Sequence, residues 1–129
     1  MLILVQLKGF FEMLIIKPII QIYTKHLDKM VLEYAQIYHF DMGKDGKTSV
    51  NNEGDAFKHC LMQAELSFYL GQKIAKYIGD KHEENNPLNT DKEKNMDLWN
   101  NAEGRKIGKT LRKIKSFFNL ENTYYEFGE

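Results

Sequence analysis

The chain has 129 residues, the length of one domain built around one core. Its 18 basic and 18 acidic residues give a formal charge of zero, which argues against a general electrostatic grip on nucleic acid, so no nucleic-acid partner is expected. A single cysteine, Cys60, excludes an intramolecular disulfide framework and any multi-cysteine zinc site; inside its helical pattern it reads as a small buried apolar residue.

The opening stretch MLILVQLKGFFEMLIIKPIIQIY is strongly apolar, but Lys8, Glu12 and Lys17 interrupt it. No uncharged run reaches the ~18–20 residues of a spanning helix, and the stretch lacks the basic start and small-residue cleavage site of a secretory signal. The expectation over 1–42 is a buried or interfacial amphipathic segment, offering an apolar contact to a second copy, another partner or a membrane surface. The chain is then either cytoplasmic or delivered without a classical signal.

Pro18 breaks the first segment and suits the first turn of a second helix. From there Ile20, Tyr23, Leu27, Met30, Val31, Tyr34, Ile37 and Tyr38 recur at three- and four-residue steps, with Lys25, Asp28, Lys29, Glu33 and Gln36 on the other face. This pattern predicts an amphipathic helix of about 20 residues that must pack on something. DMGKDGKTSVNN (41–52) is a turn-rich loop. Counted as a calcium loop from Asp41, with Asp45 and Gly46 in place, it fails at Gly43 and at Asn52, where ligands belong.

A third helix runs from Asn52 or Glu53 to Leu70, and Gly71 marks either its end or a close packing point. Phe57, Leu61, Ala64 and Phe68 form one apolar stripe on it. Met62, Leu66 and Tyr69 form a second, which also carries Asp55 and His59. Two stripes predict a central helix covered on both sides, with Asp55 and His59 turned inward or into a cleft. A short helix at about 72–79 and a polar loop, GDKHEENNP (79–87), follow. The last long helix starts near Thr90, where Thr90 and Glu93 match a capping box, and continues to about Phe118. Its packing side carries Met96, Ile107, Leu111, Ile114 and Phe118 together with Asp97, Asn100, Gly104 and Gly108, and Asn101 at the edge. The whole is read as one all-α domain over 1–129: a compact bundle of four to five helices, with a motif-bearing core at 51–118 and a polar cleft.

Buried polar groups left unpaired cost about 1–3 kcal/mol each, so several on one inward face need partners. Asp55 and His59, one helical turn apart, reach a common point. His82 and Glu83 sit in the polar loop, and Asp97, Asn100 and Asn101 near the start of the last helix. Convergence follows if the last two long helices pack antiparallel, which the short helix between them permits without requiring. The assembled inventory suits a divalent cation (zinc, calcium or magnesium) held by His59, His82 and Asp97, with amides on the substrate. It equally suits a metal-free general base, a histidine oriented by a carboxylate.

Three ordered segments, NNEGDAFKHCLMQAELSFYLG, GDKHEENNP and MDLWNNAEGRKIG, make the chain similar to an uncharacterised bacterial domain family. Its members share N-x-x-x-D-A-F-[RK]-H, a downstream H-E and M-D-L-x-N-N-x-x-G-R. The matching positions are Asp55, His59, His82, Glu83, Asp97, Asn100, Asn101, Gly104 and Arg105, within a resemblance that covers 51–108 and leaves the first 50 residues outside. The resemblance implies a helical domain with a hydrolytic site, often found at the end of secreted, wall-associated or polymorphic-toxin-like proteins. Under that reading the chain is a small hydrolase of a phosphoester, lipid or cell-envelope substrate. His59 with Asp55 is base or ligand, and His82 and Glu83 complete a metal site or supply the acid. Asp97 is a ligand or orients water, while Asn100, Asn101 and Arg105 hold the substrate anion. The competing reading is a non-enzymatic interaction module whose polar cluster fixes one packing.

Overall fold

The computed structural model describes residues 6–7, 9–10, 12–44, 52–84 and 90–127. Among them lie four α-helices and no strand: α1 (Lys17–Tyr38), α2 (Glu53–Leu70), α3 (Gln72–Glu84) and α4 (Asp91–Phe127). The all-α class is as expected. Pro18 stands in the first turn of α1, and a π-helical turn, Glu12–Ile16, runs directly into it. Proline lacks the N–H that the preceding turn would otherwise receive, and a widened turn accommodates that loss. α1 ends where His39 takes a left-handed conformation and the Phe40 N–H reaches back to the Ala35 carbonyl.

α2 begins at Asn52, whose side-chain oxygen accepts from the Asp55 N–H at 2.9 Å. It ends at Gly71, whose φ of 90° is one that side-chain-bearing residues rarely adopt. This single residue reverses the chain into α3. The predicted capping box is present at the start of α4: Thr90 N–H donates to Glu93 Oε2 and Glu93 N–H to Thr90 Oγ1. Two boundaries differ from expectation. α3 continues through His82 and Glu83 to Glu84, because Gly79 is a packing glycine and does not open a loop: a Cβ there would come within 2.5 Å of Gln63 Nε2. α4 runs on to Phe127. The predicted loop segments 45–51 and 85–87 lie outside the described residues.

The orientation of α2 and α4, left open by the sequence, differs from the antiparallel case under which convergence was considered. His59 meets Asn101, Gln63 meets Arg105, and Phe68 lies under Lys115, so the two helices run parallel. α3 retraces the length of α2 in the opposite sense, which returns the chain to the starting end of α2 before α4 begins. Close approach depends on two glycines of α4. A Cβ at Gly104 would fall on the Cys60 carbonyl, and one at Gly108 on that of Ala64. Among the described residues, α1 packs on α2 and on no other of the α-helices. Tyr23 donates to Glu65 at 2.6 Å, Lys58 pairs with Asp28, and Tyr34, Phe40 and Phe57 cluster at the far end.

The buried set is small and mixed. Leu27, Val31, Ala35, Ala64 and Ala75 are its apolar members, and Gln63, Ser67 and Asn101 are as deeply buried. The second apolar stripe predicted on α2 is not covered along its length, since Tyr69 is 70% exposed.

Candidate functional site

The seam between α2 and α4 is a pair of matched polar ladders. On α2, Asp55, His59 and Gln63 recur every fourth residue; on α4, Asp97, Asn101 and Arg105 do the same. In parallel helices equal spacing keeps equal partners: the His59–Asn101 and Gln63–Arg105 contacts both join residues 42 apart in sequence. α3 adds Glu83 from its last turn.

The centre is His59, buried with its ring between two pairs of oxygens. Asn101 Oδ1 lies 3.2 Å and Glu83 Oε1 3.5 Å from Nδ1. Asp97 Oδ1 lies 3.5 Å and Asp55 Oδ1 3.8 Å from Nε2. Both groups facing Nδ1 present oxygens, which can accept from an N–H at that position. On the other side, one nitrogen confronts two carboxylates at separations longer than an N–H···O hydrogen bond. Three carboxylates thus surround one imidazole. Even with the ring fully protonated, the cluster carries excess negative charge unless its acids are protonated or a cation joins it.

The electrostatics follow. Burial pushes the Asp97 carboxyl above the usual carboxylate range, Asp55 and Glu93 add to the rise, and His59 opposes it. Burial likewise raises Glu83; Asp97 and Asp55 reinforce the shift, while His59 and the Asn101 amide oppose it. The His82 ring stands 6.0 Å from that of His59 at the edge of the cluster. His82 keeps part of its surface in solvent, yet packing around the ring, followed by the neighbouring His59 and Lys58, holds its pKa below that of a free imidazole.

The ligand atoms of Asp55, His59 and Asp97 lie within 4.8 Å of one another. Ligands about 2.1 Å from one ion and spread tetrahedrally lie about 3.4 Å apart, close to the spacings at Nε2. The trio fits a divalent ion. His82, named with His59 and Asp97 from the sequence, lies outside this trio, and Asp55 takes the place predicted for it. Glu83 faces the opposite ring nitrogen. A histidine that binds a metal through one nitrogen usually donates the other N–H to a carboxylate or carbonyl, which fixes its tautomer.

Asn101 touches the cluster directly, and Asn100 is buried beside it with no hydrogen-bond partner for Nδ2 among the described residues. Arg105 sits one turn farther along α4, where its guanidinium donates to Gln63 Oε1 at 3.0 Å. Sequence reasoning missed Gln63 and Ser67, both fully buried in the seam. Their signal was the four-residue step that continues from Asp55 and His59.

No curated protein and no solved structure matches the chain. A family model matches residues 11–126, upstream of the three motifs as well as through them, and so takes in α1. The chain belongs to the family described as Domain of unknown function (DUF6973).

Proposed function

We propose that the protein is a divalent-metal-dependent hydrolase of a phosphoester, lipid or cell-envelope substrate, of the kind carried by bacterial wall-associated or toxin-like proteins. The observation that carries this reading is the pair of carboxylates, Asp55 and Asp97, set against the one nitrogen of His59. One imidazole nitrogen and two carboxylates whose ligand atoms lie within 4.8 Å of one another are a donor set that a divalent cation between them would take. One imidazole and two carboxylates favour a first-row ion such as zinc over calcium or magnesium, which prefer oxygen alone. Held there by Asp55, His59 and Asp97, such an ion would supply an acidified water and Lewis-acid polarisation of an ester. Glu83 and Asn101 hold the His59 ring in place. His82, neutral at physiological pH and open to solvent, takes a proton from the incoming water or returns it to the leaving group. Asn100 orients the substrate through its amide.

The test is metal uptake with turnover. Zinc titrated into metal-free protein should bind at one equivalent, and at a hundredfold excess over Kd should raise the melting temperature by roughly 10 °C. Asp97→Asn and His59→Ala should abolish that rise and any hydrolysis of a nitrophenyl phosphodiester or carboxyl ester. Parent protein that takes up no zinc, manganese or magnesium defeats the proposal. A second reading draws on the continuation of the seam past the cluster through Gln63, Arg105 and Ser67, all remote from Nε2. There the polar groups serve one packing, metal has no effect on melting, and the same substitutions change stability alone.

A further inference from the structure

We infer that the second half of α4 pairs with the same helix of a second copy of this chain, row against row about a two-fold axis. This inference is independent of the metal reading. The contacts between α2 and α4 keep a constant offset of 42 residues, so Leu70, the last residue of α2, stands level with Arg112, whose guanidinium reaches the Gly71 turn. α4 nevertheless continues to Phe127, and every residue from 109 to 118 is exposed. A helical stretch of about 15 residues is marginal alone in water and is held by packing of an apolar face. The face available is a row of four, Ile107, Leu111, Ile114 and Phe118, at steps of four, three and four. Each is between 46% and 56% exposed, and among the described residues no other element covers the row. Alternating steps of four and three make the narrow seam that one further helix covers. A shallow groove lined by Lys106, Ile107, Thr110 and Leu111 opens on the row, where a side chain of a facing helix can seat.

The placement of charge selects the occupant. At about 100° per residue, Lys109, Arg112 and Lys113 fall on the side of α4 opposite the row. Two copies that meet through their rows therefore keep these cations facing outward, about two helix diameters apart (~20 Å) and beyond the ~8 Å screening length of physiological salt. A bilayer that took up the row would leave the same cations pointing away from its phosphates, and a nucleic acid that took up the cations would leave the row in water. Beside the row, Gly108, Thr110 and Phe117 are uncharged, and Lys115 is held over the Phe68 ring. The seam thus carries no charge that calls for a partner of opposite sign, and a second copy supplies the matching row at the same spacing. The area agrees. Four half-exposed side chains with Phe117 beside them present about 450 Å² of apolar surface per copy, which at an apolar share of about 60% corresponds to about 750 Å² a side, near the ~800 Å² of a stable interface.

The experiment is analytical ultracentrifugation of the full chain over about 1–100 μM. The parent should pass from monomer to dimer within that range. Deuterium uptake in residues 113–118 of the parent should slow as concentration rises, a readout that needs no variant. Leu111→Asp combined with Ile114→Asp should raise the dimer Kd at least about a hundredfold. Lys109→Glu combined with Lys113→Glu, on the opposite side of the helix, should leave it within about threefold. All four positions are exposed, so the thermal melt of the packed helices and zinc uptake should match those of the monomeric parent in both variants. A parent that stays monomeric over the whole range, or a double aspartate variant that dimerises like the parent, overturns the inference. So does a dimer lost in the glutamate variant and kept in the aspartate one. A monomeric parent that binds phosphatidylcholine–phosphatidylglycerol vesicles, and loses that binding with the aspartates, overturns it in favour of lipid.

Discussion

Asp97 and Glu83 are acids that burial drives toward their neutral forms, and this gives the metal-free protein an unusual pH response. A carboxyl whose folded pKa is raised holds its proton in the folded state after the unfolded chain has lost its own. The folded state therefore binds more protons above about pH 4, and stability from these two groups falls as pH climbs through their raised values. His82 acts oppositely, because its lowered pKa costs stability as pH drops below about 6.5. Thermal melts of metal-free parent and Asp97→Asn across pH 4–8 check this. The variant should melt higher than the parent at neutral pH and show a flatter profile on the acid side. Under the proposed metal binding the sign would reverse for the parent, since binding requires the carboxylates ionised. At this scale much of the site was legible: Asp55, His59 and Asp97 were named from their inward positions. Gln63 and Ser67 were not, because a search for apolar periodicity passes over polar residues that occupy the same face.

At the scale of the elements, the seam rests on two glycines. Alanine for glycine in a helix normally adds about 1 kcal/mol of stability. At Gly104 the added methyl would fall on the Cys60 backbone, with Gln63 Cβ also close, and backbone yields poorly. Gly104→Ala is therefore expected to cost about 2 kcal/mol or more in urea unfolding, against the propensity trend. It should also weaken zinc binding, since Asp97 and Asn101 ride on the displaced helix. The helices themselves were readable from their punctuation: Pro18, Asn52, Gly71 and the Thr90–Glu93 box all stand where sequence chemistry sets them. Relative direction was not, because capping and periodicity say nothing about which way a neighbour runs. Gly79 misled for a related reason. A glycine selected for contact with Gln63 looks, in sequence, the same as one selected for a turn.

At the scale of the whole molecule, the described residues bury at least as many polar as apolar side chains. The α2–α4 interior is rich in amides and carboxyls, while much isoleucine, leucine and phenylalanine remains outside. The π-helical turn exposes Met13, Leu14 and Ile15 and the start of α1 exposes Ile19 and Ile22, while Leu27, Val31 and Ala35 farther along α1 are buried, so of the segment expected to be buried or interfacial only the later part is covered among the described residues. Its tie to the rest passes through a few side chains. Tyr23→Phe removes the hydrogen bond to Glu65 and should cost about 1.5 kcal/mol, a cost calorimetry on the full chain would register.

Among the described residues α1 abuts one other α-helix, whereas α2, α3 and α4 each abut the other two. Such wiring makes the first helix an arm laid on one side of a closed triangle. Deuterium uptake should then begin in residues 17–38 while amides around 59 and 101 stay dark, and trypsin should trim the arm before it wounds the triangle. Simultaneous labelling of all four helices would mean that the arm and the triangle open together.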